Sequence, residues 1–299
     1  IFYGISIAIT IIGIISLFVR GLNQGIDFKG GRTYVVEFKN SVRTADVAEK
    51  LTPVFGEAPQ VVTFGSDNQV RIMTKYRVNE SGADSEVETE LYEGLKDLLG
   101  PDVTKEEFLA DYRRSSETVG PTIASDTKRN AVFAVLFSLV IMFLYIFIRF
   151  KNWQYGLGAF TAVAHDTLIM IGIYSLLWGL LPFTMEIDQS FIAAILTVIG
   201  YSINDTVVVY DRLREFIPLH RKRPLKEVIN LAMNDTLSRT LNTGMTSILV
   251  LIVMFFFGGE TIRGFLFAMI IGIIVGTYSS IFIASSLVYD TARKKGIKS

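Results

Sequence analysis

The sequence predicts an α-helical polytopic membrane protein with six transmembrane helices and a small α+β domain of ferredoxin-like pattern. Of its 299 residues, 50% are hydrophobic, and many of these lie in long uncharged runs such as residues 2–19 and 131–148. A helix needs roughly 20 apolar residues to cross the hydrocarbon core of a bilayer. One long polar stretch, residues 20–128, holds most of the acidic residues and is long enough for a small domain. These observations favour a membrane protein with one soluble domain.

Six runs have the length and apolar character of transmembrane helices. They cover approximately residues 2–19, 130–148, 155–181, 189–210, 240–257 and 264–289. The first run lacks a charged leading region and a small-residue cleavage site, so we expect a retained helix and not a signal peptide. The predicted organisation is a first transmembrane helix at 1–20, a soluble domain at 21–127, five further helices within 128–290, and a tail at 291–299.

The lysines and arginines of the short loops predict the orientation. They follow the second, fourth and sixth runs, at Arg149, Lys151, Arg212, Arg214, Arg221, Lys222, Arg223, Lys226, Arg293, Lys294, Lys295 and Lys298. The loop at 182–188 carries two acidic residues and no basic one. Because basic loops stay on the cytoplasmic side, the loop 211–238 and the tail are predicted to be cytoplasmic. The domain 21–127 is then periplasmic.

The soluble domain alternates between strand-like and helix-like patterns. Period-two apolar patterns predict strands near residues 32–39, 59–64, 69–74 and 108–119, and helical spacing predicts helices over 45–55 and 86–99. The last strand fits a helix as well, so both states stay open there. The resulting order, β-α-β-β-α-β, is the ferredoxin-like pattern.

Several classes of function are disfavoured by residues that the sequence lacks. It has no cysteine, only two histidines, and a net charge of +0, which argues against Cys- or His-ligated metal sites and against nucleic acid as a partner. The nearest approach to a phosphate-binding loop, at residues 25–32, has Arg32 where that loop requires lysine. We expect no enzymatic activity, no cofactor and no nucleotide.

Charged residues inside the apolar runs are the main candidates for function. Asp166 lies midway along the third run, Asp205 in the inner half of the fourth, and Arg239 at the inner start of the fifth. An ionised side chain at a helix centre costs roughly 2.5–3.5 kcal/mol even on a lenient scale. A carboxylate buried there can take up and release a proton. The hypothesis is an ion relay for H⁺ or Na⁺, and the alternative is a fixed Asp–Arg pair that holds helices together.

The neighbours of these charges leave further alternatives open. Asn204 precedes Asp205, and Asn242 lies one turn after Arg239, so both are candidates for the same ion pathway. Arg239 is either the charge partner of Asp205 or a side chain that reaches the cytoplasmic interface. Asp166 is either part of a relay or the acceptor of an interhelical hydrogen bond, and His165 beside it is either a proton shuttle or a hydrogen-bonded interface residue.

A series of motifs carries a resemblance to a known family. They are Gly25-Ile26-Asp27-Phe28-Lys29-Gly30-Gly31, Val119-Gly120-Pro121, Ala164-His165-Asp166, the run from Gly200 to Arg212, Ser238-Arg239-Thr240-Leu241-Asn242-Thr243, Phe257-Gly258-Gly259 and Gly276-Thr277-Tyr278-Ser279-Ser280-Ile281. In order and spacing, the chain resembles the SecF branch of the SecD/SecF family, within the resistance-nodulation-division superfamily. The resemblance covers essentially the whole chain. It leaves a fused SecDF polypeptide open, since residue 1 is isoleucine.

The resemblance implies a place and a set of partners. The family lies in the bacterial inner membrane, pairs SecF with SecD, and assists the SecYEG channel, with YajC and possibly YidC nearby. It uses the ion gradient to help move an unfolded exported polypeptide. The span-four aspartate, Asp205, and the span-five arginine, Arg239, match the family's ion-pathway residues, and Gly25, Asp27, Gly30, Gly31, Gly120 and Pro121 match its hinge motifs. The alternatives are an assembly subunit without ion conduction and a fragment of a small-molecule exporter of the same superfamily.

Overall fold

A computed structural model of the protein describes residues 2–80, 82–100 and 102–294. The chain divides into two compact units. The helical unit contains the residues up to 23, residues 131–181 and the residues from 189 onward, and the α+β unit contains residues 24–130 and 182–188. Residues 295–299 of the predicted tail lie outside the described residues.

The secondary structure is mostly helical. The helices are α1 (Phe2–Val19), α2 (Ile26–Lys29), α3 (Thr44–Phe55), α4 (Asp84–Leu99), α5 (Lys105–Glu107), α6 (Pro121–Phe150), α7 (Trp153–Leu177), α8 (Gln189–Leu219), α9 (Leu225–Phe257), α10 (Glu260–Ser279) and α11 (Ser285–Lys294). The strands are β1 (Gly31–Glu37), β2 (Gln60–Phe64), β3 (Ser66–Thr74) and β4 (Arg113–Val119). One-turn π-helical segments occur at Phe108–Tyr112 and Ser280–Ala284.

The apolar helices agree with the predicted class of fold. Five helical stretches in the described chain are long and apolar enough to cross a membrane: α6, α7, α8, α9 and the continuous stretch Glu260–Ala292. A sixth, shorter apolar helix covers Tyr3–Val19. Many large apolar side chains of α1, α6 and α9 are exposed, which is expected of helices in lipid. The helical membrane fold is therefore confirmed.

The α+β unit contains one four-stranded antiparallel sheet in the order β2-β3-β1-β4. Together with α3 and α4, this gives the β-α-β-β-α-β order of the ferredoxin-like pattern. Side chains of β1 and β3 and of the two helices form its buried core, including Tyr34, Val36, Val47, Leu51 and Leu91. The two helices thus cover one face of the sheet.

The predicted strand at 108–119 is helical in its first half. The Thr104 side chain accepts a hydrogen bond from the backbone N–H of Glu107 and starts α5. The chain then makes a π turn that buries both Phe108 and Tyr112. The spacing between Phe108 and Tyr112 places both side chains on one face in a helical turn and also in a strand. Packing of both side chains against the core favours the turn, and only Arg113–Val119 forms β4.

Most of the segment 211–238, predicted as a loop, is a continuation of two long helices. The helix α8 runs to Leu219 and α9 begins at Leu225, so only a short turn separates them. Inside this hairpin, Leu213, Val228 and Ala232 are buried. Arg212 Nε donates to Asp235 Oδ2 at 2.6 Å. Of the charged residues that favour a loop, Arg221, Lys222 and Arg223 lie in the short turn, and Arg214 and Lys226 are exposed on the two helices.

Candidate functional site

Asp205 lies on α8 and is only 3% exposed. Its Oδ2 atom has no hydrogen-bond partner among the described residues. A buried polar atom without a partner is uncommon, because burial without a hydrogen bond costs free energy. An acceptor of this kind is suited to a proton or a cation.

Arg239, on the neighbouring helix α9, acts electrostatically on Asp205. No salt bridge joins the two side chains within the described ranges, so the fixed Asp–Arg pair of the alternative hypothesis is not formed in this structure. Arg239, Asn204 and Asn242 are all exposed. The structure therefore places three of the predicted residues on the outside of the helical unit and Asp205 within it.

Two hydroxyl groups extend the polar interior beyond the predicted residues. Thr240 on α9 is 1% exposed and Thr277 on α10 is 9% exposed, and neither Oγ1 atom has a hydrogen-bond partner in the described part of the chain. A Cβ atom added at Gly244 would lie 3.1 Å from Thr277 Oγ1, so α9 and α10 approach closely there. Because α8, α9 and α10 pack against one another, unpartnered oxygens lie on three neighbouring helices. Threonine is too common in membrane helices for the sequence to reveal this.

Asp166 occupies a different environment from Asp205. It is 1% exposed, and its Oδ2 atom accepts hydrogen bonds from Ser202 Oγ at 2.8 Å and from Ser279 Oγ at 2.7 Å. His165 Nδ1 lies 3.1 Å from the other carboxylate oxygen. Asp166 thus joins α7 to α8 and α10, which is the interhelical arrangement that the sequence left open.

The same contact region includes the π-helical turn after α10. Ser280 Oγ lies 2.9 Å from Thr206 Oγ1 and donates to the backbone carbonyl of Ser202 at 3.1 Å. A π turn widens the helix and moves side chains out of the regular register, and such turns often occur at functional sites. The residues of α8 on either side of Asp205, Ser202 and Thr206, are therefore held by α10 and the turn that follows it.

The backbone geometry after α1 requires glycine at two positions of the glycine-rich motif. Gly30 has φ +69° and Gly31 has φ +146°, which are conformations that residues with a Cβ atom rarely adopt. A Cβ atom at Gly31 would also lie 3.1 Å from the carbonyl oxygen of Thr74. This motif fixes the entry into β1.

The other predicted hinge residues lie around the same entry. Gly25 is buried, and Asp27 is half-buried on the one-turn helix α2. Pro121 is the first residue of α6, where its missing N–H is not needed. Gly120 has open space around its Cβ position, so no contact in the described structure requires glycine there. A hinge role for these residues stays a prediction.

Comparisons with known proteins match nearly the whole chain. The family described as protein export membrane protein SecD/SecF, C-terminal, matches residues 102–294. The chain belongs to the SecD/SecF family. The SecD/SecF GG motif matches residues 15–42, the region of Gly25, Gly30 and Gly31.

The relatives in the SecD/SecF family agree with this assignment. The protein translocase subunit SecF of Rhodothermus marinus is 43% identical over 288 residues, which cover 96% of this chain and 89% of that protein. The SecDF subunit of Brucella abortus is 36% identical, and the match covers 97% of this chain and 36% of that longer protein. A crystal structure of SecDF from Thermus thermophilus, described as translocon-associated, has a TM-score of 0.80 at 34% identity. That match covers 97% of this chain and 37% of the SecDF chain, so this chain spans less than half of it.

Proposed function

We propose that this chain is a SecF-like subunit of the SecDF accessory complex in the bacterial inner membrane. It uses the ion-motive force to promote late steps of SecYEG-dependent protein translocation. The observation that carries the proposal is Asp205, a carboxylate inside a membrane helix with one oxygen that no described residue satisfies. The proposal includes no covalent catalytic step, no cofactor, and H⁺ or Na⁺ as the transported ion.

The proposed mechanism is a change of charge at Asp205 in a helical bundle that has two packing arrangements. When Asp205 binds a proton, it loses its attraction for Arg239, and the balance of packing between α8 and α9 changes. An elementary charge that crosses the membrane releases roughly 2.3 kcal/mol per 100 mV. That free energy is enough to shift a two-state equilibrium about fiftyfold. The α+β unit, which basic loops predict to be periplasmic, would respond to the repacking of the helices.

A partner helix is supported by the polar side chains on the outside of the helical unit. Asn204, Arg239 and Asn242 are exposed on helices that are long and apolar enough to cross a membrane, and lipid satisfies neither hydrogen bonds nor charge. We propose SecD as the partner on this face, and the proposal is supported by fused SecDF relatives that carry the matching sequence within a longer chain. SecYEG, YajC, YidC and the unfolded exported polypeptide are further proposed partners of the assembled complex.

This partner surface predicts a position-specific crosslink. Because the chain has no cysteine, Asn242→Cys introduces a single thiol. We expect it to crosslink to SecD with a short bifunctional reagent in membranes that contain the complex. Phe137→Cys, on the exposed apolar side of α6, is the matched control and should stay uncrosslinked. Equal crosslinking at both positions would contradict the partner assignment.

The proposed function is tested by complementation. Bacteria depleted of their own SecF and supplied with this chain, together with its SecD, should regain normal processing of exported proteins in a pulse–chase measurement. Export that stays defective, although the chain is in the membrane and co-purifies with SecD, would favour an assembly subunit without a motor role. The absence of both pairing and export would overturn the proposal.

A further inference from the structure

The loop between α7 and α8 is packed like a core segment. Its residues Pro182–Asp188 belong to the α+β unit by their contacts. Met185 is 2% exposed and Ile187 is 7% exposed. Short loops between membrane helices usually lie on the surface and make few contacts, so this burial indicates a specific role.

Backbone pairing joins this loop to the glycine-rich motif. The N–H of Gly25 donates to the carbonyl oxygen of Ile187 at 3.0 Å, and Gln24 and Ile187 form a parallel β-bridge. A Cβ atom at Gly25 would lie 3.2 Å from Glu186 Oε2 and 3.4 Å from Asp188 Cβ. Glycine at position 25 therefore allows the loop to approach closely.

An ion pair that is largely shielded from water links the loop to β3. Arg71 Nη1 on β3 lies 3.4 Å from Glu186 Oε1, and the two side chains are 15% and 14% exposed. The guanidinium of Arg71 also lies 4.0 Å from the centre of the Phe64 ring. Opposite charges that are largely removed from water depend strongly on each other, because the loss of one leaves the other buried and unpaired.

Burial raises the pKa of Glu186 above its ordinary 4.5, and the charge of Asp188 raises this pKa too, whereas Arg71 and Lys29 oppose the rise. The positive charges of Arg71 and Lys29 favour the ionised carboxylate, which is the form of Glu186 that pairs with Arg71.

The loop is continuous with the helix that carries the candidate ion site. Asp188 is followed directly by Gln189, the first residue of α8, and α8 runs unbroken to Leu219. At 1.5 Å of rise per residue, Asp205 lies about 24 Å along the helix from Gln189. Asp205 thus lies near the middle of α8, and the packed loop directly precedes the first residue of that helix in the chain.

We propose that residues 182–188, held by Gly25 and Arg71, form a clasp through which movement of α8 is transmitted to the α+β unit. The inference rests on the proposed function, because it assigns a mechanical output to the ion site. In this account, the glycine-rich motif is the part of the α+β unit that receives the movement of α8. The clasp stays closed while α8 moves.

The first test is reversal of the ion pair in the full complex with SecD. Glu186→Arg places two guanidinium groups together, and Arg71→Glu places two carboxylates together. We expect each single variant to lower gradient-driven export about tenfold, and the double variant to restore it to within about twofold of the unaltered protein. Pairing with SecD should be unchanged in all three. An exposed pair, Arg43 and Asp46, supplies the matched control, since its reversal should have no effect.

The second test uses a disulfide between Gln24→Cys and Ile187→Cys. Partners in a β-bridge are close enough for a disulfide, and this sequence has no native cysteine that would compete. A clasp that stays closed predicts that oxidation leaves gradient-driven export within about twofold of the reduced protein. It also predicts that oxidation rescues Glu186→Arg. This pair keeps Glu186 and Arg71, so the test holds even if the charge variants fail to accumulate.

Three results would overturn the clasp. They are full export by both single reversals, a double reversal no better than the singles, and a disulfide that stops export until it is reduced. If any of these occurs while Asp205→Asn still abolishes gradient-driven export, the clasp is wrong and the proposed function stands. If Asp205→Asn has no effect, the proposed function itself fails.

Discussion

Replacing Asp205 by Asn is expected to abolish the stimulation of export by the ion gradient, a loss of about tenfold or more. Asparagine has nearly the same volume and also accepts hydrogen bonds, so the packing of α8 is kept. It cannot bind and release a proton, however, and it carries no charge to attract Arg239. The chain should therefore still enter the membrane and pair with SecD. Pulse–chase labelling of an exported protein in depleted cells measures the loss.

Two matched variants separate the charge from the fold. Asp205→Glu keeps a carboxyl group on the helix and should retain part of the activity. Asp67→Asn makes the same chemical change at an exposed position near the start of β3 in the α+β unit and should retain all of it. An Asp205→Asn protein that exports normally at a normal membrane level would show that this carboxylate has no role in energy coupling.

Gly158→Val is expected to destabilise the helical unit strongly. A Cβ atom at Gly158 on α7 would press on the Tyr210 hydroxyl group and lie 2.8 Å from the backbone carbonyl oxygen of Ala284. Tyr210 is fully buried, with the rings of Tyr155 and Phe150 at 4.8 and 5.5 Å between centroids. Neither the buried Tyr210 side chain nor the backbone of Ala284 has room to move, so the helices must separate. Overpacking of this kind costs at least about 1–3 kcal/mol.

The effect of Gly158→Val is measured as a fall in melting temperature of the purified protein in detergent and as loss of the full-length chain from membranes. Gly200→Val is the control, because Gly200 lies on α8 and nothing occupies the space within 4 Å of its Cβ position. Both changes add the same β-branched side chain to a membrane helix. Equal stability of the two variants would contradict the described packing of α7 against α8 and the π turn.

The class of fold can be predicted from the sequence because the thickness of the bilayer sets the length of a transmembrane helix. Six apolar runs of about that length, with one polar stretch of alternating strand-like and helix-like patterns, are compatible with few other folds. The candidate residue Asp205 was found for the same reason, since a carboxylate within an apolar run is costly. Its burial and its unpartnered oxygen are facts of packing that no sequence pattern contains.

Other features depended on contacts between distant parts of the chain. Arg71 and Glu186 are 115 residues apart, and each is unremarkable in its own segment. Ser202 and Ser279 lie in motifs that the sequence singled out, yet serine is too common in membrane helices to identify them as donors to Asp166. The charges around Arg212 and Asp235 favour a loop in the sequence, whereas the uninterrupted course of α8 to Leu219 and of α9 from Leu225 is seen only in the structure.

The central claim is that ion movement through Asp205 powers a late step of export. It is tested most directly in inverted membrane vesicles that contain this chain, SecD and SecYEG, with a translocation intermediate stalled after ATP is exhausted. We would impose a proton gradient, or collapse it, and compare completion with intact Asp205 and with Asp205→Asn. Our account predicts completion only when the gradient and the carboxylate are both present. Equal completion by the two proteins under the gradient would contradict it.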